Sequence, residues 1–261
     1  MLTAPLTGDA RAGTAESPDL EAAQRMFYNG RYVEAAMLTA DLCTAEADNL
    51  AACELRSSAV LFQFRRALGD SRDKAKAFTE CSACPELLST FVAETRRVQA
   101  IARARLELDP DDEETLFFLG KLDLNYVWLQ LGTLGRKTGW DEYWEARRSL
   151  DKLLKRNPGH VRARVARGWI DYIVDTRMPR GTRWLLGGGN KNRGLRAVRE
   201  AATAEADPFV RAEAGFALWD MQVRERNIAD ALVTAETLAR DFPANPELRR
   251  FLEAHSSSGS Q

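Results

Sequence analysis

Four cysteines, Cys43, Cys53, Cys81 and Cys84, all fall in the first third of the 261-residue chain. Cys81-Ser-Ala-Cys84 has the spacing of a redox or metal motif, but a thioredoxin-type site needs a strand-helix-strand setting and this neighbourhood reads as helix and loop. Haem attachment is excluded, because Pro85 stands where that chemistry needs His. Three readings remain open: close disulfides, Cys43 to Cys53 and Cys81 to Cys84; a zinc on four thiolates, which the wide first pair disfavours; and buried free thiols. The even count and close pairing lead us to expect at least one disulfide, and with it an oxidising compartment.

The second candidate is the turn Gly187-Gly188-Gly189-Asn190-Lys191, where glycine N–H groups at a helix start could face a phosphate or carboxylate. It is not a nucleotide P-loop, since GxxxxGK[ST] is absent and no strand precedes it. The plainer reading is a glycine turn with an Asn cap. Around it the charge is one-sided: residues 136–199 hold 17 Lys or Arg against 6 Asp or Glu, although the whole chain carries only −1. If this basic middle is a recognition face, Arg177, Arg180, Arg183, Lys191, Arg193 and Trp184 should gather around the glycine loop and meet a protein with an acidic surface. The alternative is a solvated face, or pairing with the acidic flanks.

Catalytic chemistry finds little support. His160 follows a Pro-Gly and His255 lies at the tail, so no triad or metal cluster can be assembled, and Asp141, Glu142 and Glu145 open a helix whose dipole accounts for them. We therefore expect no catalytic residue, metal or cofactor, and no nucleic-acid partner.

The elements that must position these residues are helices. Tyr143, Ala146, Leu150, Leu153 and Pro158 occupy offsets 0, 3, 7, 10 and 15 of one helix; Ile228, Ala231, Ala235, Leu238 and Pro243 repeat the register, and Tyr32, Ala35 and Leu42 repeat it with polar Thr39 in the third place. Half-buried helices that recur must stack on one another, which predicts an all-α solenoid of antiparallel hairpins with roughly eleven or twelve helices. Asn29-Gly30 turns the first hairpin, Asp48 is expected to cap the third helix, Asp111 with Glu114 to form a capping box, and Asn190 to cap the helix after the glycine turn. Gly120 reads as a close-packing point, Trp144 and Trp169 as core, and Trp184 as an exposed anchor. Residues 1–18 are expected to be disordered, 19–254 to form one repeat domain, and 255–261 to be a flexible tail. No apolar run approaches a membrane span, and peripheral membrane association stays open.

The stretches NGRYVEAA, LELDPDDEETLFFLG, GWDEYWEARRSLDKLLKRNPGH and NIADALVTAETLARDFPANPEL resemble tetratricopeptide repeats over nearly the whole chain. The prolines Pro110, Pro158 and Pro243 depart from that family's regular repeat length. The half from Trp169 onward, with LLGGGNKNRGLRAVREA, is similar to bacterial envelope-associated repeat proteins and to the periplasmic helical-repeat subunit that accompanies some solute transporters. The resemblance implies a non-enzymatic interaction or scaffold subunit in the periplasm or cell envelope, with the cytoplasm as the alternative; a rival function is a small anionic ligand, or an enzymatic site, in the central groove.

Overall fold

A computed structural model describes residues 18–45 and 49–256 of the chain. The expectations for residues 1–17, Asp48 and the last five residues fall outside that range. Among the described residues there are twelve α-helices and no strand: α1 Pro18–Tyr28, α2 Tyr32–Ala45, α3 Leu50–Leu68, α4 Lys74–Glu80, α5 Cys84–Leu108, α6 Glu113–Val127, α7 Trp140–Arg156, α8 Val161–Arg177, α9 Lys191–Ala202, α10 Pro208–Arg224, α11 Ile228–Asp241 and α12 Pro246–Ser256. The chain is an all-α solenoid of antiparallel hairpins. Its last helix carries His255 and Ser256, two residues that the sequence pattern assigns to the tail.

Turn and cap chemistry sets most of these boundaries. Gly30 takes φ +76°, and the bonds Arg31 N to Met26 O (2.9 Å) and Gly30 N to Phe27 O (2.9 Å) close α1 with a left-handed residue that glycine adopts without a Cβ penalty. The side chains of Asn49, Asp73, Asn190, Asp207 and Asn227 each accept a backbone N–H of the helix they precede. The cap of α3 is thus Asn49. The expected box of Asp111 with Glu114 does not form: Asp112 is the cap residue of α6, and the Asp111 carboxylate is drawn off by Lys152 (3.1 Å) and Arg156 (2.9 Å) of α7. After α6 the chain widens into a π-helical turn, Trp128–Thr133, before the loop that leads to Trp140.

Helices α1, α3, α6, α8 and α10 form an inner layer, touching one another in the pairs α1 with α3, α3 with α6 and α8 with α10. Helices α2, α5, α7, α9 and α11 pack outside, each against its hairpin partner. The recurring register belongs to this outer layer. Ala146, Leu150 and Leu153 of α7 and Ala231 and Ala235 of α11 are fully buried. Thr39 of α2 is buried too, because its hydroxyl donates to the Ala35 carbonyl (2.7 Å) and so leaves no polar group unsatisfied. Gly120 of α6 lets α7 approach: a Cβ there would lie 3.0 Å from Leu150 Cγ.

The inner layer closes on itself. Helix α1 touches α10, and the ring of Tyr28 stacks on Phe209 (6.2 Å) and Phe216 (5.5 Å) and tilts against Phe242 (5.3 Å). Asn29 Oδ1 accepts the Ala244 amide (3.0 Å), and Asn245 Nδ2 donates to the Tyr28 carbonyl (2.7 Å). Both cysteine pairs are disulfides: Cys43–Cys53 ties α2 to α3, and Cys81–Cys84 ties the end of α4 to the start of α5. All four sulfurs are thereby spent, so they form no zinc site.

Candidate functional site

The loop between α8 and α9 contains a short 3₁₀ helix, Arg180–Leu186, and is held from three sides. Arg147 of α7 donates to the carbonyls of Leu186 (3.0 Å), Gly187 (2.7 Å) and Gly188 (3.3 Å), and the Tyr143 hydroxyl donates to Leu186 O (2.8 Å). Gly189 presses on α8 so closely that a Cβ would sit 2.7 Å from the Asp171 carbonyl. The amides of Gly187 and Gly188 bond back to Trp184 O and Arg183 O. The turn therefore shows carbonyls to a guanidinium, as a glycine turn with an Asn190 cap, and the amides of Gly187 and Gly188 are not turned to an anion as the alternative reading of Gly187, Gly188 and Gly189 would have them.

The basic residues divide. Arg183 pairs with Asp175 and also donates to Met178 O (3.1 Å); Lys191 pairs with Glu225 (2.6 Å) while its amide bonds Asp175 (2.9 Å); and Arg193 forks onto Asp171 at 2.8 and 2.9 Å. Asp171, 4% exposed, also takes Arg167 (2.6 Å), which reaches Asp151, so the charges weld α7, α8 and α9 together. Arg177 and Arg180 stay exposed beside the turn. Between them and the glycines, Trp184 is 73% and Leu185 53% exposed, with the indole N–H held by Gly181 O (2.9 Å). The arrangement is a fixed loop presenting an apolar pair, with two exposed guanidiniums alongside that have no ion-pair partner among the described residues.

The inner face holds two further groupings. At one level Lys121 (2.5 Å) and Arg162 (2.8 Å) both bind Glu213, while Arg162 lies over Phe117 (4.5 Å) and Glu54 is bonded by Ser58 (2.7 Å) and Asn125 (3.2 Å). Burial alone would raise the Glu213 carboxyl, but the two cations outweigh it and hold it down to about 2. At another level the rings of Tyr32, Phe62, Trp128, Trp169 and Tyr172 follow one another at 5.1, 6.0, 6.1 and 5.8 Å across α2, α3, the π-helical turn and α8. Arg66 sits over Tyr32 (4.6 Å), Arg65 over Phe62 (4.9 Å) and Trp128 (4.6 Å), and Arg224 over Trp169 (5.8 Å).

Sequence reasoning places Trp169 in the core and passes over Phe62, Arg65 and Arg224. The usable signal is positional: an aromatic or Arg near the C-terminal end of alternate helices. Between the two layers, Asp123 of α6 is buried beside Gln99 of α5 (2.6 Å) and within reach of Glu145 of α7, which Arg103 clamps with bonds of 2.5 to 3.1 Å. Burial, with the Glu145 charge adding, pushes the Asp123 carboxyl up to about 9. Among the described residues no helix is long and apolar enough to cross a membrane, and no group of three or more His, Cys, Asp or Glu could hold a metal ion.

The fold and loop together define an all-α helical-repeat protein with a rigidly presented surface turn. Among solved structures the chain is similar to a thermophilic TPR protein of Thermus thermophilus, at 15% identity and a TM-score of 0.49, over 92% of this chain and 98% of that one. No protein-family model matches the sequence. No curated protein matches it.

Proposed function

We propose that this chain is a non-enzymatic interaction or scaffold subunit that docks a partner protein on the loop between α8 and α9. The observation that carries this reading is Trp184, 73% exposed with Leu185 beside it, on a turn that Arg147, Tyr143 and Asp175 hold in place. Presenting a large apolar side chain to solvent costs stability unless something covers it, and fixing it beforehand reduces the entropy lost on binding. Tryptophan and arginine are the residues most often dominant in interface cores, so the complementary surface is an apolar pocket with acidic groups facing Arg177 and Arg180. Two disulfides in a chain of this size favour an oxidising compartment, consistent with the periplasm or cell envelope.

The test is affinity capture by the wild-type chain and by a Trp184→Ala, Leu185→Ser, Arg180→Glu variant whose circular dichroism is unchanged. A defined protein retained by the first and lost by the second supports the reading. Equal retention by both, or co-purification of a small molecule with no protein, overturns it.

A further inference from the structure

We propose that the guanidinium of Arg65, on the inner face of the solenoid, is a binding site for one carboxylate group. This lies beyond the docking loop and does not depend on it. Five arginines of the described residues stack on aromatic rings, and four of them also have a polar partner: Arg25 has Glu21 (3.5 Å), Arg66 the Gly30 carbonyl (2.9 Å), Arg162 Glu213 (2.8 Å) and Arg224 Asp220 (2.6 Å). Arg65, over Phe62 and Trp128, has no acceptor within hydrogen-bonding distance among the described residues. The rings cover the faces of this half-buried cation and offer its N–H groups no acceptor. Its charged form is correspondingly disfavoured, since burial lowers its pKa.

What such a group lacks is an in-plane acceptor with two oxygens. With the rings stacked on it, the N–H edge is the direction left for a ligand, and a carboxylate meets that edge with two parallel N–H···O bonds. The surrounding charge sets the valence. Arg65, Arg66 and Arg224 bring three positive charges to this run of rings, while Asp220 and Glu247, whose fields act on Arg65, bring two negative ones. One negative charge balances the site. A phosphate dianion or a polyanion would be opposed by Asp220 and Glu247. The same carboxylate can stand on a free organic acid or on an acidic residue of a bound polypeptide.

The experiment follows the Arg65 Nε–Hε signal by NMR in the full-length chain, titrating sodium acetate against sodium chloride at matched ionic strength. The capped tripeptide acetyl-Gly-Asp-Gly-amide and inorganic phosphate serve as further probes. We expect a saturable shift with acetate, none with chloride, and, with the indole N–H of the adjoining Trp128 followed in both proteins, weakening of about tenfold in Arg65→Lys, which keeps the charge and loses the fork. Saturable binding of acetate alone supports a small acid as ligand, and binding of both acetate and the tripeptide supports an acidic residue of a partner. If Arg65→Gln folds, the acetate-dependent rise in its melting temperature over chloride should vanish. Shifts equal in acetate and chloride, or acetate affinity unchanged in Arg65→Lys, would overturn the proposal.

Discussion

Tyr28 and Asn245 are 217 positions apart in sequence, yet the Asn245 side-chain amide donates to the Tyr28 carbonyl at 2.7 Å. That bond, with Asn29 accepting the Ala244 amide and the Tyr28 ring among Phe209, Phe216 and Phe242, joins the first hairpin to the last. We expect Tyr28→Ala to cost about 3 kcal/mol, the usual loss for an aromatic cut from a packed cluster. Asn245→Ala should cost about 1 to 2 kcal/mol. Urea denaturation measures both, and small-angle scattering should show a larger radius of gyration for Tyr28→Ala. An unchanged midpoint in both variants would mean the seam holds nothing together.

The loop between α8 and α9 depends on Arg147, which donates to three consecutive carbonyls. Replacing it with Met keeps much of the stem and removes those bonds. Amide hydrogen exchange in residues 180–188 should accelerate by at least about tenfold, corresponding to about 1.4 kcal/mol of lost local stability, while the α7 amides stay protected. Exchange at the wild-type rate would show that the loop is fixed by other contacts.

Burial of Asp123 sets the sign of its contribution to the pH dependence of stability. Its folded pKa of about 9 lies above the unfolded value of 3.8, so between those limits the native state holds a proton that the unfolded state has released. Its contribution to stability is full below about pH 4 and declines as pH rises toward 9. Asp123→Asn keeps an acceptor for Gln99 and a donor for Glu145 without ionising. The variant should therefore be the more stable one at pH 8 and should lose that slope in denaturation midpoints taken from pH 5 to 9.

Glu213 acts in the opposite direction. Its folded pKa of about 2 lies below the ordinary 4.5, so it contributes stability at neutral pH that disappears as pH falls through that interval. Glu213→Gln leaves Lys121 and Arg162 with weakened compensation in the interior and should cost about 3 to 5 kcal/mol. A double variant that also replaces Lys121 with Met should recover part of that loss. A neutral single variant would show that the two cations find other partners.

The outer layer is readable from sequence because its packing is local. Leu150 meets Gly120 of α6 in its own hairpin, and Ala146 and Leu153 on the same stripe are fully buried, so one periodicity reports their burial. The irregular proline spacing also has visible causes, in the π-helical turn Trp128–Thr133 and the 3₁₀ loop Arg180–Leu186, each inserted between helices of a stack. The inner face is opaque. Lys121 finds Glu213 across 92 positions, and Arg65 finds a ring on another hairpin, so no window of sequence contains both members of either contact. The excess of basic residues between Arg177 and Arg199 is legible as a count. Its neutralisation is not, because Asp171 and Asp175 lie on the preceding helix and Glu225 just past the end of the following one.

An open stack of hairpins has two terminal units, each with a neighbour on one side only, and such arrays fray from their ends. In this chain the Tyr28 seam supplies the missing neighbour at both ends. No hairpin is left as the weakest link from which melting could spread, so the whole array is expected to lose its structure in one concerted transition.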